Sequence, residues 1–347
     1  MTRFPYPLQH DVPLFLAPMA GVSESPFRRL CRSWGADVVV TEFLSAEGIR
    51  RENASTLSKL RFGPDERPIG VQIFGSDPTA MADAAALVTD VFQPDFVDIN
   101  FGCPVKKVVK RLGGSGCLQD LDLVERVIRA VVASTHLPVT CKIRSGWNEE
   151  RRDPVTIARR CEDAGVRAIA LHPRTRTQMY TGSARWEEIA AIVDAVTIPV
   201  IGNGDIKTPE DVVRMRAQTK CAGVMVARGS FGQPWMFAQA RALLQGRTPP
   251  ATPGVEDRFR IVLEHVAMVE AYLADPDGAA IEFRKHLGWY VKGLPNSADL
   301  RRRLYAVDRF SEIAGILDAY LVQRARDAES GDGAIVGECD GPVAAVA

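Results

Sequence analysis

Eight short runs of apolar and β-branched residues recur along the first two thirds of the chain, and this repeat constrains the fold more than any other feature. The segments between the runs have apolar residues at helical spacing, as residues 121–134 show. Eight strands that alternate with helices predict an α/β protein with a (β/α)8 TIM barrel. A doubly wound open sheet is the alternative, and the count of eight favours the barrel. The runs are residues 14–17, 38–41, 69–73, 96–100, 139–143, 168–172, 200–203 and 223–227.

The chain has 347 residues, which exceeds the length of a barrel alone and predicts a second domain. We predict a barrel domain over residues 1–246 and a proline- and glycine-rich linker over 247–256. Residues 257–325 have a helical pattern without strand signals, so they predict a smaller all-helical C-terminal domain. Residues 326–347, rich in Gly, Ala, Asp and Glu, predict a disordered tail.

Composition and charge restrict the class of protein. Hydrophobic residues make up 46% and charged residues 25%, as is typical of a soluble globular protein. The formal net charge is zero, so any RNA contact must depend on local basic patches. Residues 1–14 contain no apolar run of signal or membrane-span length, and we expect a cytoplasmic protein outside the membrane. Seven cysteines without zinc-type spacing predict no metal site, and a monomer is the default expectation.

Glycine-rich turns follow the seventh and eighth runs. Gly202, Asn203, Gly204 and Asp205 end the seventh, and an Ala-Arg-Gly turn over residues 227–229 ends the eighth. In a TIM barrel these two loops commonly bind phosphate through backbone N–H groups. No GxGxxG motif follows a strand, so a Rossmann dinucleotide site is not supported. Simple turns are the alternative, and the joint placement of the two loops favours phosphate binding.

Three strand ends carry polar side chains where an apolar core would otherwise continue. Gln72, Lys142 and His172 end the third, fifth and sixth runs. Each alone could be a satisfied core group or a solvated rim residue. Together, these amide, ammonium and imidazole groups suit the polar edge of a flavin ring, where positive charge stabilises the reduced anion.

Cys103 follows the fourth run in the sequence DINFGCP, whereas Cys31, Cys141 and Cys161 fall in predicted helices or strands. An inert thiol is one interpretation. A nucleophile needs a thiolate and a base, whereas a general acid needs the proton that a thiol keeps at neutral pH. No cysteine-hydrolase signature surrounds Cys103, which favours the acid.

Basic residues follow this loop and also follow His172. A solvated face explains one or two such charges, but a cluster beside a candidate catalytic cysteine better suits a phosphate-rich substrate. The predicted rim consists of Lys106, Lys107, Lys110, Arg111, Arg174 and Arg176.

Several motifs in one order give the chain a family resemblance. The sequence resembles tRNA-dihydrouridine synthases, and among bacterial forms the B-type subgroup. The resemblance covers about residues 14–310, and the NFGCP-KK element is its most specific part. The motifs are APMAG at 17–21, DINFGCP at 98–104, KKVVKRL at 106–112, KIRSGW at 142–147, HPRTR at 172–176, NGD at 203–205, and RKH at 284–286 with Trp289 and Tyr290.

The resemblance implies a flavin reaction at the barrel mouth. Cys103 would be the acid that protonates C5 of uracil, reduced FMN would deliver hydride to C6, and NADPH would reduce the flavin in a separate half-reaction. Pro173 and Ala227 depart from the family pattern, which commonly has glycine at both positions. The implied FMN contacts are Pro18, Met19, Ala20, Gln72, Lys142, His172, Asn203, Gly204, Asp205, Ala227 and Arg228.

The resemblance also implies tRNA as the substrate. A uracil stacked inside folded tRNA must be extruded to reach the barrel, so contacts elsewhere on the RNA must offset that cost. We expect the helical domain to supply some of them, although it could merely stabilise the barrel. The predicted tRNA residues are Asn100, Lys106, Lys107, Lys110, Arg111, Arg174, Arg176, Arg284, Lys285, Arg301, Arg302 and Arg303.

Two other functions are compatible with parts of the sequence. The first is a barrel flavoprotein that reduces a free small molecule, similar to dihydroorotate dehydrogenase, and the basic rim argues against it. The second is a non-catalytic tRNA-binding protein, and the presence of Cys103 and Lys142 argues against it.

Overall fold

The computed structural model of the chain describes residues 4–273 and 278–330, which contain nine strands in one sheet. All pairings are parallel, β1 pairs with both β2 and β9, and β2 pairs with β4. Eight strands therefore close into a ring, and the two-residue β3 pairs with β4 alone. The strands are β1 (Leu14–Leu16), β2 (Val38–Val40), β3 (Leu44–Ser45), β4 (Ile69–Phe74), β5 (Phe96–Phe101), β6 (Val139–Arg144), β7 (Ile169–His172), β8 (Val200–Asn203) and β9 (Gly223–Val226).

The closed ring confirms the predicted TIM barrel. Each of the eight predicted runs is a strand of the ring, with ends that differ by a residue or so. Only β3 was not predicted, because two residues are too few to show an alternating pattern.

Helices connect or follow these strands. Aspartate side chains cap three of them: Asp77, Asp120 and Asp153 accept hydrogen bonds from backbone N–H groups of the first turn. The helices are α1 (Ser25–Ser33), α2 (Ala46–Arg50), α3 (Ala54–Ser58), α4 (Pro78–Leu87), α5 (Lys106–Val109), α6 (Leu121–Ser134), α7 (Pro154–Asp163), α8 (Trp186–Ala195), α9 (Pro209–Thr219) and α10 (Met236–Leu244).

Alternate residues of the strands fill the barrel, and most of them form one apolar cluster in its interior. Tyr6 stacks on Phe96 with 4.6 Å between ring centroids, and Phe4 packs on Phe15. The segment before β1 thereby packs against the amino-terminal end of the barrel. Polar side chains that point inward lie directly beside this cluster, at Asp98 and Thr140, and at the carboxyl ends of the strands. The buried cluster consists of Tyr6, Phe15, Ala17, Val38, Val40, Phe96, Ala170, Ile201 and Met225.

The chain divides into two compact units, and the second is helical. The barrel unit contains the residues up to 229 together with 236–250, and the helical unit contains 230–235 and the residues from 251 onward. Residues 230–235, which the sequence placed in the barrel domain, group with the helical unit, where Phe231 stacks on Trp289 at 4.1 Å. The helices of this unit are α11 (Val255–Tyr272), α12 (Ala279–Tyr290), α13 (Ser297–Tyr305) and α14 (Ser311–Ser330).

The C-terminal part of the chain differs from the prediction at one point. Helix α14 runs to Ser330, so residues 326–330, predicted to begin a tail, are helical. The rest of the predicted tail, 331–347, lies outside the described residues. In the described part of the chain, no helix has the length and apolar character needed to cross a membrane.

Candidate active site

A chain of hydrogen bonds joins polar side chains of β4, β5 and β6 inside the barrel. The strand register pairs Gln72 with Asp98 and Asp98 with Thr140. Gln72 Nε2 donates to Asp98 Oδ2 at 2.5 Å, and Thr140 Oγ1 donates to Asp98 Oδ1 at 2.5 Å. Asn100 Nδ2 donates to Gln72 Oε1 at 2.7 Å. Three neighbouring strands therefore share one network below the barrel mouth.

Asn100 holds the loop that carries Cys103. Its Oδ1 accepts the backbone N–H groups of Gly102 at 3.0 Å and Cys103 at 2.8 Å. The Cys103 carbonyl in turn accepts the backbone N–H and the hydroxyl of Ser115. The sequence placed Asn100 among the tRNA contacts, and in the structure its oxygen orders the cysteine loop.

The Cys103 side chain is buried, with 7% of its surface exposed. Burial raises the pKa of the thiol, while a backbone hydrogen bond at Val105 and the charges of Arg144 and Lys142 act in the opposite direction. Burial is the largest effect, so the thiol keeps its proton at neutral pH. This state suits a general acid rather than a nucleophile.

Lys142 and Asn203 form a second pair at the mouth. Lys142 Nζ donates to Asn203 Oδ1 at 2.8 Å, and Asn203 Nδ2 donates to the Met225 carbonyl at 2.8 Å. Burial, and next the neighbouring charge of Arg144, lower the pKa of Lys142 to about 7. An ammonium with so low a pKa gains markedly from an anionic ligand.

The structure corrects the predicted position of Arg174. The sequence placed it on a basic rim, but only 2% of the residue is exposed. Its guanidinium donates to both carboxylate oxygens of Asp205 at 2.9 Å and to the carbonyls of Thr181 and Gly182. A carboxylate that lies 31 positions away along the chain draws the arginine inward. Asp205, predicted as a cofactor residue, is therefore neutralised by an ion pair.

His172 is buried beside this ion pair. Its Nε2 lies 3.1 Å from Arg174 Nη1, and because a guanidinium can only donate, Nε2 must accept and the proton resides on Nδ1. Burial and the cations around the ring, Arg144 first, keep the His172 pKa well below its ordinary value. The imidazole is therefore neutral and offers an Nδ1–H donor.

Arg144, which the sequence did not single out, connects two loops of the mouth. Its Nε donates to the Gly102 carbonyl at 2.8 Å, and its Nη1 donates to the carbonyls of Thr175 at 2.9 Å and Met179 at 2.8 Å. The loop between β7 and α8 is thus held by its backbone. Arg144 lies two positions after Lys142 on β6, so strand alternation places both on the inner face and could have identified it.

The glycine-rich turns lie next to these groups. Gly204 has φ +118°, and a Cβ there would lie 2.9 Å from His172 Cδ2, so only glycine fits. Its carbonyl accepts the indole N–H of Trp186 at 3.0 Å. The Arg228 guanidinium lies 4.9 Å from the Tyr180 ring centroid, and its side chain is 55% exposed. Arg228 is therefore available to an anion.

The segment after β1 completes this part of the mouth. Pro18 and Met19 are partly buried and Ala20 is exposed. The Met19 backbone N–H donates to Ser23 Oγ at 2.8 Å. Met19 and Ala227 both pack against the apolar cluster of the barrel interior. The predicted cofactor residues of β1 and β9 are therefore neighbours in space.

Some of the remaining basic side chains of the barrel unit are exposed, and one contacts an aromatic ring. Lys106, Lys107, Lys110 and Arg111 are exposed on α5 and directly after it. Arg176 lies over the Trp147 ring at 4.8 Å. These positions leave the four cations that follow the cysteine loop accessible to a phosphate-rich ligand.

In the helical unit, Arg284 is engaged by the carbonyl of Val307 and by Asp308, both at 2.7 Å. Arg302 is exposed and pairs with Asp299. Lys285, Arg301 and Arg303 are partly buried. Of the five cations predicted in this unit, Arg302 is the most accessible.

The fold and the site define a TIM-barrel enzyme with several hydrogen-bond donors and a buried thiol at the carboxyl ends of its strands. Residues 15–325 match the family model described as Dihydrouridine synthase (Dus). The chain belongs to the dihydrouridine synthase family and is a flavin-dependent oxidoreductase.

Two relatives with assigned names support this family membership. The chain is 42% identical to the tRNA-dihydrouridine synthase B of Pseudomonas syringae pv. tomato, over 83% of this chain and 85% of the relative. It is 39% identical to a probable tRNA-dihydrouridine synthase of Rhodobacter capsulatus, over 92% of this chain and 98% of the relative.

Solved structures support the fold alone. Histamine dehydrogenase from Rhizobium sp. 4-9 matches with a TM-score of 0.51 and 12% identity, over 76% of this chain and 50% of that chain. A 2-naphthoyl-CoA reductase matches with a TM-score of 0.52 and 10% identity, over 69% of this chain and 50% of that chain.

Proposed function

We propose that the chain is an FMN-dependent tRNA-dihydrouridine synthase, which reduces the C5=C6 bond of uridines in tRNA to 5,6-dihydrouridine with NADPH as the reductant. One observation carries the proposal: a buried, protonated Cys103 thiol on a loop that Asn100 and Arg144 hold at the mouth of a donor-lined barrel. The relatives named above are tRNA-dihydrouridine synthases, which supports tRNA as the substrate.

The residues at the mouth fit FMN. The flavin ring needs donors for its oxygen and nitrogen edge, and the mouth offers amide, ammonium and imidazole N–H groups. The phosphate needs backbone N–H groups and a cation, which the two glycine-rich turns and Arg228 provide. When bound, FMN supplies the hydride that goes to C6 of the uracil. The residues that would hold it are Pro18, Met19, Ala20, Gln72, Lys142, His172, Asn203, Gly204, Asp205, Ala227 and Arg228.

Cys103 supplies the proton that goes to C5. Its raised pKa keeps the proton on the sulfur until a base is in place. Donation leaves a thiolate, and the charges of Lys142 and Arg144 stabilise that anion. The loop hydrogen bonds of Asn100 keep the sulfur at one position, which favours transfer to a single carbon.

The tRNA would be held by phosphate contacts outside the barrel interior. An extruded base costs a few kcal/mol, and basic side chains on α5 and in the helical unit can offset this cost. Among the predicted residues, Lys106, Lys107, Lys110 and Arg111 are exposed and suited to this role. We also propose that the protein acts as a monomer in the cytoplasm and that the unit built by α11 to α14 binds tRNA.

Replacement of Cys103 by alanine tests the proposal. We expect Cys103→Ala to retain FMN and NADPH oxidation, while dihydrouridine formation falls about 10²- to 10⁴-fold because only proton delivery is lost. FMN content, NADPH oxidation and dihydrouridine in tRNA are measured separately. Cys31→Ala, which removes a buried thiol on α1, is the matched control and should stay near the wild-type rate.

Two outcomes would contradict the proposal. Unchanged tRNA modification by Cys103→Ala would refute the acid role. A wild-type protein whose reduced flavin is reoxidised by a free pyrimidine but not by tRNA would make the chain a small-molecule reductase.

A further inference from the structure

Asp98 is a carboxylate inside the barrel to which the proposed reaction assigns no role. It lies on β5, 6% exposed, and it accepts hydrogen bonds from Gln72 and Thr140. A buried carboxylate is costly unless its hydrogen bonds are satisfied. Both of its oxygens have a donor within 2.5 Å, so the site is built for a group that accepts.

The hydrogen bonds from Asp98 to the cysteine loop have one polarity at neutral pH, because burial raises the pKa of Asp98 to about 6 and the carboxyl is still mainly ionised. An ionised carboxylate can only accept, so Gln72 must turn its Nε2 towards Asp98 and its Oε1 towards Asn100. Asn100 must then donate from Nδ2 and keep its Oδ1 for the loop. At the other end, the backbone N–H groups of Gly102 and Cys103 can only donate, which demands the same orientation of Asn100.

This polarity also decides what the two amides offer to a ligand. Each side-chain NH2 group has two hydrogens, and the network uses one of Gln72 and one of Asn100. Within the described residues no protein acceptor is found for the second hydrogen of either group. Both amide oxygens are consumed internally. Only N–H hydrogens therefore remain for a further partner at these two positions, which are 0% and 5% exposed, and any ligand atom that reaches them must be an acceptor.

We propose that Asp98 is a positioning residue: its acceptor oxygens fix the orientation of the Gln72 and Asn100 amides and thereby hold the Cys103 loop. The identity of the ligand that accepts from the remaining N–H hydrogens rests on the proposed function. The polarity of the network rests on its hydrogen bonds alone. Without an acceptor at position 98, Gln72 Nε2 loses its partner, and only the loop end still favours the present orientation of the two amides. If the Gln72 amide rotates by 180°, its oxygen faces the barrel interior and Asn100 loses its acceptor.

The hydroxyl of Thr140 makes a sharp test possible. In Asp98→Asn, the new amide can keep its oxygen towards Gln72 only while its NH2 group finds an acceptor, and the Thr140 hydroxyl is that acceptor. Thr140→Val removes the hydroxyl with little change of volume, whereas Thr140→Ser retains it. The two substitutions at position 140 are therefore compared in the wild-type background and in the Asp98→Asn background.

Two measurements on the cofactor-free protein report on the network. The dissociation constant for FMN comes from quenching of flavin fluorescence, and the alkylation rate of Cys103 by iodoacetamide comes from peptide mass spectrometry. With Asp98 present, we expect the Thr140→Ser and Thr140→Val variants to differ less than about threefold in the FMN dissociation constant and in the alkylation rate. The reason is that the carboxylate still accepts the hydrogen bond from Gln72. With Asp98→Asn, the valine variant should bind FMN roughly tenfold more weakly and alkylate roughly tenfold faster than the serine variant.

The result that overturns the proposal is an equal effect of valine in both backgrounds, because packing changes at separate sites combine without such coupling. If the double variant Asp98→Asn with Thr140→Val does not fold, as judged by its thermal transition, Thr140→Ala removes the acceptor with a smaller side chain. A wild-type protein that binds no FMN would refute the proposed function. The alkylation rates would still decide the role of Asp98.

Discussion

Lys142 shows how the barrel changes the chemistry of one residue. Its ammonium is enclosed with Arg144 nearby and only Asn203 as a hydrogen-bond acceptor in the described chain. The folded protein therefore releases this proton at a pH of about 7, whereas the unfolded chain holds it to about 10.4. The cofactor-free site is thus prepared for an anion at a cost in stability.

This difference predicts a pH dependence of stability. Between pH 7 and 10 the unfolded state binds one more proton at Lys142 than the folded state does, so the contribution of Lys142 to the free energy of unfolding rises with pH. The rise is at most roughly 4 kcal/mol. The buried cysteines, whose pKa values are raised by burial, act in the opposite direction in every variant, so the rise is measured as a difference from Lys142→Met. Urea unfolding of the cofactor-free protein at several pH values should show this rise, relative to Lys142→Met, in the wild type and in Lys59→Met, where an exposed lysine is lost. Parallel curves for all three proteins would contradict the assignment.

The sequence identified the polar strand ends but not the groups that orient them. Gln72, Lys142, His172 and Asn203 stand out because they interrupt apolar strands, and in the structure all four lie in the carboxyl-terminal halves of their strands. Asp98 interrupts a strand in the same way, but its partners on the two neighbouring strands are set by the register of the sheet. The burial of Arg174 could not be predicted, because its partner lies on another loop and strand spacing does not reveal ion pairs between loops.

At the scale of elements, the loop between β7 and α8 is held by two buried arginines. Arg144 and Arg174 each donate to two backbone carbonyls of this loop. The planar guanidinium of Arg174 also forms a fork with Asp205, which the single ammonium of lysine cannot reproduce.

We therefore expect Arg174→Lys to lower the free energy of unfolding by roughly 1–3 kcal/mol, because the partly buried Asp205 carboxylate and the two loop carbonyls lose part of their pairing. Arg185→Lys is the matched control: this arginine precedes α8, is 44% exposed, and should change stability by less than about 0.5 kcal/mol. Chemical denaturation measures both, and hydrogen exchange at residues 175–184 should accelerate in Arg174→Lys alone. Equal losses of unfolding free energy in the two variants would show that the Arg174–Asp205 ion pair contributes no more to stability than the contacts of an exposed arginine.

The sequence also predicts some structural elements better than others. The eight barrel strands could be predicted because each is a buried run bounded by turn residues. Helix α5 has four residues, so its boundary depends on tertiary contacts rather than on a periodic pattern. Residues 230–235 follow the last strand in sequence, yet they group with the helical unit because Phe231 and Trp289 stack, a contact between segments far apart in the chain.

At the scale of the whole molecule, the balance of 43 basic and 43 acidic residues makes local patches decide how tRNA binds. If α13 contacts phosphates, the joint change of Arg301, Arg302 and Arg303 to alanine should flatten the salt dependence of tRNA affinity. Each lost contact should lower the log–log slope by roughly 0.7 to 0.9. Reoxidation of the flavin by tRNA should slow, while reduction by NADPH should be unchanged.

A second triple variant controls for the loss of charge. Arg126, Arg129 and Arg159 lie exposed on α6 and α7, and their joint change to alanine should leave the salt slope in place. Equal slowing of both half-reactions by the α13 variant would show that the helical unit only stabilises the barrel. No change in either would place the tRNA elsewhere.

Because the β7–α8 loop is held through its backbone, its side chains can change during evolution more easily than its course. Arg144 and Arg174 bind carbonyl groups, which every amino acid possesses, so the loop keeps its course whatever side chains it carries. Substitutions at exposed positions such as Thr181 and Ser183 can then accumulate without loss of the fold. Lineages that retain the two arginines are free to vary the exposed side chains of this rim while the buried residues below it are inherited intact.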